Sequence, residues 1–191
     1  MLVFSYQTKY RKHLNEIGVN VRAFKNILPI MLCLSINSGA LANEMKNCEE
    51  RTNKQQIAKV FKNYMIKYNH FITKQELKLT PELYAQQVML MTGNGKSTTL
   101  TPEKMNQGVT GFLTQLKSKG VNKIAWEAVE IKLLTDNIAL ASNIAVRYLA
   151  NGEVYDRAGA TYFLNKAETG WEISAFALHA PDKTINFSSE S

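Results

Sequence analysis

Four side chains in the second half of the chain combine a carboxylate, two phenols and a guanidinium: Glu127, Tyr148, Tyr155 and Arg157. Hairpin arithmetic brings them together. Asn151-Gly152 is the strongest short hairpin signal available, because both positions of the turn need positive φ, and Asp136-Asn137 marks a second turn. With two residues in each turn, Tyr148 faces Tyr155, Leu149 faces Val154, Arg147 faces Asp156, Ile131 faces Ser142 and Glu130 faces Asn143. A carboxylate such as Glu127 becomes an acid or base near neutral pH when apolar walls disfavour its charge, with Tyr148 and Tyr155 as donors to a developing anion. Arg157 beside it works the other way, since a nearby positive charge favours the ionised carboxylate. The four are therefore expected as ligand-binding residues around an anion or an ion pair, and no catalytic residue is assigned.

Other chemistry has less to stand on. Gly93-Asn-Gly-Lys-Ser-Thr98 suggests a phosphate loop, but the glycine required five residues before Gly95 is Leu90, and no βαβ pattern surrounds it. It reads as a hairpin turn. His70, His179 and Cys48 form no close-spaced ligand pair, so neither a metal nor a cofactor is expected. His179 ends the last strand and is expected on its alanine-bearing face. No Ser or Cys stands in a nucleophile arrangement with a histidine.

The formal charge is +7, yet residues 1–42 carry five of the 23 basic residues and one of the 16 acids. The remaining 149 residues have 18 basic and 15 acidic side chains, so a nucleic-acid partner is not expected. The same 42 residues read as a secretory signal. A basic stretch ends at Lys25, an apolar run covers 27–36, and Ser38-Gly-Ala-Leu-Ala42 supplies small residues for cleavage after Ala42. The run is shorter than the about 20 residues a spanning helix needs, so no stable membrane insertion is expected after cleavage. The protein is expected to be exported, periplasmic or secreted, with Cys48 as its one remaining cysteine.

Four segments follow: a signal peptide over 1–42, a polar lead-in over 43–52, one domain over 53–181, and a polar tail over 182–191. Ile57, Val60, Phe61, Tyr64, Met65 and Tyr68 recur at helical spacing, predicting an amphipathic helix over 53–69. Weaker helical signals cover 74–79 and 80–84, the latter from Thr80-Pro81-Glu82. A hairpin is expected over 87–100. The next helix is well marked, with Thr101 as N-cap, Pro102 in its first turn and Gly120 past its end. After Gly120, strands near 122–134, 138–150, 153–165 and 171–180 form a meander.

Strict alternation along these strands yields two faces. One carries Val129, Ile131, Leu133, Leu140, Ile144, Val146, Phe163, Phe176 and Leu178, and is expected to cover the helices. The other carries Ala128, Ala139, Ala141, Ala145, Ala158, Ala160, Ala175 and Ala177, with Trp126, Tyr162, Trp171 and Ile173. Such a shallow apolar field suggests a contact surface, and a homodimer is expected through it.

Tyr84-Ala-Gln-Gln-Val-Met-Leu-Met-Thr-Gly-Asn-Gly95, the helix at 101–120, and Gly159-Ala-Thr-Tyr-Phe-Leu with Gly170-Trp-Glu-Ile carry a likeness. Over residues 53–181 the chain resembles the nuclear transport factor 2-like superfamily, in its SnoaL-like (polyketide cyclase-like) branch. The resemblance implies an α+β fold: a curved mixed or antiparallel sheet wrapped around N-terminal helices into a cone with a pocket. Members include isomerases, dehydratases, cyclases and non-catalytic binding or assembly domains, so the fold does not select a chemistry. The residues favour non-catalytic binding of a small apolar or amphipathic ligand. The alternatives are an isomerase-, dehydratase- or cyclase-type enzyme with a pocket acid, and an accessory domain that binds another protein.

Overall fold

The computed structural model describes residues 38–187, with side chains from Asn43 onward. The expected signal peptide lies outside these residues, apart from the backbone of 38–42. Helix α1 (Ser38–Lys74) is followed by strands β1 (Tyr84–Met91) and β2 (Ser97–Leu100) and helix α2 (Pro102–Ser118). Strands β3 (Val121–Leu133), β4 (Ile138–Leu149), β5 (Val154–Ala167) and β6 (Gly170–His179) complete the sheet, and a 3-10 turn follows at Pro181–Lys183.

The six strands lie in the order β2-β1-β6-β5-β4-β3. All neighbours are antiparallel except β1 and β6, which run parallel. The two helices pack on one face of this open mixed sheet. Ile57, Phe61, Tyr64, Tyr68, Phe71 and Ile72 form the buried stripe of α1, and Met105, Val109, Leu113 and Leu116 that of α2. Thr101 caps α2 by accepting the Lys104 amide at 3.5 Å, and Pro102 occupies its first turn. Over residues 43–52 α1 has no such stripe. Residues 43–52, expected as a polar lead-in, are helical with every side chain exposed.

Between α1 and β1 the chain is neither of the short helices expected there. Residues 76–83 are irregular, with a cis Thr80–Pro81 bond, and β1 starts at Tyr84. Lys67 holds this segment. Its residue is 2% exposed, and Nζ donates to the carbonyls of Leu79 and Pro81, each at 2.9 Å.

The meander has the expected strands but only some of the expected registers. Leu133 pairs with Ala139, and the amides of Leu134 and Thr135 both donate to the Ile138 carbonyl. This widens the turn, and Ile131 faces Ala141 while Glu130 faces Ser142. Arg147 does face Asp156, but Tyr148 faces Val154 because the register shifts past Tyr155. Two further irregularities change the faces. Between Trp126 and Ala128 the β3–β4 register shifts, and so does the β5–β6 register at Phe163/Leu164, opposite Ala175 and Ile173. A bulge reverses the alternation beyond it.

The alanine field is consequently divided. Ala139, Ala141, Ala145, Ala158 and Ala160 lie on the helix side with Trp126, Tyr162, Leu164, Trp171, Ile173 and Phe176. Across the strands from Ala128, Ala175 and Ala177 stand Ile144, Phe163 and Thr161, on the outer side. Ala139 and Ala141 are completely buried, whereas Phe163, expected in the core, is 43% exposed. The homodimer surface expected from the alanines is therefore mostly interior. Part of the outer side is crossed by the chain after β6: the Ile185 amide donates to Ser142 Oγ at 2.9 Å, and Lys132 Nζ lies 5.8 Å from the Phe187 ring centre.

Candidate functional site

Where the helices meet the middle of the sheet, side chains of two kinds face each other. The helices offer Tyr64, Met65 and Tyr68 from α1 and Met105, Gly108, Val109 and Phe112 from α2. The sheet answers with Ala145, Ala158 and Ala160, flanked by larger Trp126, Tyr162 and Phe176. Methyl groups beneath aromatic rings leave space that a core packed with Leu or Ile would fill. The result is a cavity of about 330 Å³, large enough for a small ligand.

Aromatic contacts hold its walls. Tyr64 lies 4.1 Å from Tyr68 and 5.3 Å from Trp126 between ring centres, and Tyr162 stacks on Phe176 at 5.5 Å. Trp126 Nε1 donates to the Phe61 carbonyl at 2.9 Å, tying β3 to α1. Asn69 adds a second tie further along α1: its amide accepts the Ile124 N–H at 2.9 Å and donates to the Ile124 carbonyl at 2.7 Å. Edge strand β3 is thereby met by a side-chain amide that acts like a strand's peptide group.

The phenols are neutral donors and acceptors here. Burial pushes Tyr68 and Tyr162 well above the usual tyrosine value and raises Tyr64. Hydrogen bonds from Tyr68 and Tyr162, and the charge of Arg147, partly offset that rise for Tyr64. Tyr84, behind them in the core, is likewise raised well above its usual value by burial. Its hydroxyl is sealed from solvent with no hydrogen-bond partner among the described residues.

Two polar side chains mark the cavity's edges. Arg147 Nη1 donates to Asp156 Oδ2 at 2.7 Å, and its guanidinium carbon stands 5.1 Å from the Phe112 ring centre. His179 lies across from Gly159, on the face of β6 that carries Ala175 and Ala177, as expected. Its Nδ1 is 2.8 Å from the Ala180 carbonyl, which only accepts, so Nδ1 carries the hydrogen. Nε2 is 2.9 Å from Thr161 Oγ1, and Thr161 is 3.1 Å from Ser142, which accepts the Ile185 amide. One hydrogen-bonded chain thus links the cavity edge to the segment after β6. It needs glycine at 159, because a Cβ there would press into the His179 ring and the Ala180 carbonyl. Gly159→Ala should cost about 1–3 kcal/mol, read as a lower urea midpoint at unchanged slope. An unchanged midpoint would show that the ring can move aside freely.

The four residues expected from sequence lie elsewhere. Arg157 Nε donates to Glu127 Oε2 at 2.7 Å, with side chains 47% and 44% exposed. Tyr148 neighbours Arg157 and carries Lys123 Nζ 5.7 Å from its ring centre, while Tyr155 is exposed at the register shift. The structure brings Glu127, Arg157 and Tyr148 together as a solvated cluster, and none of the four lines the cavity. The residues that do line it were legible only as helix stripes and an alanine face. Among the described residues no cluster of His, Cys, Asp or Glu is placed to hold a metal ion.

This architecture has relatives. Residues 53–181 match the family described as NTF2-like protein (DUF6841). The chain belongs to the NTF2-like family. Its fold is shared by an NTF2-like protein with a cystatin-like fold from Novosphingobium aromaticivorans, at TM-score 0.58 and 11% identity, covering 75% of this chain and 91% of that one. An uncharacterised protein with a cystatin-like fold from Caulobacter vibrioides superposes at TM-score 0.50 and 15% identity, over 72% and 93%. Aln2 from a Streptomyces species does so at TM-score 0.50 and 12% identity, over 68% and 91%. At these identities the NTF2-like likeness is one of fold, and the site must speak for function. No curated protein matches the sequence significantly.

Proposed function

We propose that this NTF2-like protein is a binding module that holds a small apolar or amphipathic ligand in the cavity between its helices and sheet, without transforming it. The observation that carries this reading is the lining itself. Aromatic and aliphatic side chains surround the space, none of the described carboxylates lines it, and the histidine at its edge has both ring nitrogens engaged. An acid–base enzyme of the isomerase or cyclase type needs a titratable group free to reach substrate. Buried phenols whose pKa values are raised serve as hydrogen-bond donors at neutral pH, which suits recognition of a ligand's polar atom.

The order of basic, apolar and small residues over 1–42 supports export as the setting for this binding. A homodimer, in the same reading, would use the outer side of the sheet around Leu140, Phe163 and Ala175, where Phe163 stands exposed.

Gly108 offers a clean test. It lines the cavity from α2, and open space surrounds the place of its Cβ. Gly108→Phe should fill the cavity while improving helix propensity, so the protein stays folded. The uncharged fluorophore N-phenyl-1-naphthylamine should bind the native protein and lose at least about tenfold in affinity to this variant. Equal binding by both would remove the cavity as the site.

A further inference from the structure

We infer that the ligand carries an anionic group, a carboxylate or its like, and that Arg147 is the residue that reads it. The inference rests on the cavity reading above and adds a charge to the ligand.

The geometry is specific to Arg147. It projects from β4 beyond Ala145, on the same side of the sheet, and among the described residues it is the one side chain of permanent charge in the lining. Of its five N–H donors, Nη1 serves Asp156, and no other bond to a described residue engages the guanidinium. The side chain is 15% exposed, yet none of its nitrogens is sealed off by protein without a partner. Donors that are neither bonded nor sealed remain open to whatever occupies the space beside them. The rest of the wall around them is hydrocarbon and aromatic ring, a setting that strengthens a charge-assisted bond.

The remaining contacts hold the group in place. Phe112 supports the planar guanidinium at 5.1 Å, and Asp156 anchors one end at 2.7 Å. Asp156 itself stays off the cavity lining and is a positioning residue. A fork fixed at one end and free at the other suits a planar two-oxygen anion, which arginine binds through paired N–H groups. The charge of Arg147 is also felt at the Tyr64 phenol, so the anion's site borders the aromatic wall. An amphiphile of one to three rings fits: the rings between Tyr64, Trp126 and Phe112, the acid at Arg147.

Two probes with one skeleton test this. 8-Anilinonaphthalene-1-sulfonate carries an anion on the ring system of N-phenyl-1-naphthylamine, which has none. Arg147→Met keeps much of the length of the side chain and removes its charge and donors. It should weaken the sulfonate by at least about tenfold and change the neutral probe by less than about threefold. Asp156→Asn keeps the shape and frees the charge of Arg147, so the sulfonate should bind more tightly. It also supplies the answer should Arg147→Met fail to fold by circular dichroism. Equal losses for both probes in Arg147→Met, or an unchanged or weaker sulfonate in Asp156→Asn, would overturn the anion while leaving the cavity reading intact. Binding of both probes that ignores Gly108→Phe would sink the cavity reading, and this inference with it.

Discussion

Raised from pH 9 at constant temperature, the protein should unfold in one steep step that begins above about pH 10, the ordinary tyrosine pKa. Tyr64, Tyr68, Tyr84 and Tyr162 are all buried, and burial raises each of them in the folded state. A group whose folded pKa is raised contributes stability that is complete below its unfolded pKa. As pH climbs past that value the unfolded chain sheds protons and the folded one keeps them, so stability falls. Each such phenol costs at most about 1.4 kcal/mol per pH unit, and four together about 5.5. A domain stable by about 5–15 kcal/mol, as is typical, is exhausted within about one to three units. Phenolate absorbance from these four should therefore appear together with the loss of far-ultraviolet dichroism. Smooth ionisation of all four while the dichroism persists would show that burial does not raise them. Tyr84→Phe removes a buried hydroxyl that has no partner among the described residues, and should move the midpoint upward at little cost at pH 7.

Lys67→Met should lower stability by about 3 kcal/mol, from two charge-assisted bonds offset by apolar burial of the methionine. The bonds in question run from Nζ to the carbonyls of Leu79 and Pro81. Without them both acceptors lose their partner, in a segment that has no helix or strand to hold it. The effect should show locally before it shows globally. Trypsin should reach Lys78 faster in the variant under conditions where the native fold survives, and a urea titration gives the global figure. A midpoint unchanged in both measurements would mean the segment is held by its flanking elements instead. Burial lowers the folded pKa of Lys67, and the charge of Glu82 partly restores it. Such a lysine binds its proton less well when folded, so its burial penalty eases as pH rises toward its unfolded pKa. It opposes the tyrosines only up to its unfolded pKa, about 10.4, and above that pH the decline in stability is theirs alone.

Much of this architecture was open to reading along the chain. The stripe from Ile57 to Tyr68 recurs every three or four residues, and that spacing suits one buried helix face whatever lies against it. Thr101-Pro102 and Gly120 bracket α2 through backbone rules that act within a few residues. The four meander strands followed from alternation between turn residues, and the family resemblance followed from their order. Local chemistry determines local structure, so these elements needed no knowledge of the fold.

Turn lengths and bulges decided the rest. A wider turn after Leu134, the register shift past Trp126 and the shift beside Phe163 each move side chains by one position, and one position in a strand exchanges its faces. That is why eight alanines looked like one outer surface, when five of them lie beneath the helices and three of these line the cavity. It is also why Glu127, Tyr148, Tyr155 and Arg157 were expected at a pocket and are found on the solvated side. Nothing in the spacing of residues 53–68 could reveal that Tyr64 and Tyr68 would meet Tyr162 from a strand about 100 residues away. Sequence alone determined the buried stripes of the two helices and the meander strands in chain order, because those depend on neighbours along the chain. The cavity, its open arginine and its buried phenols were decided by tertiary structure, because they depend on which neighbours meet across the sheet.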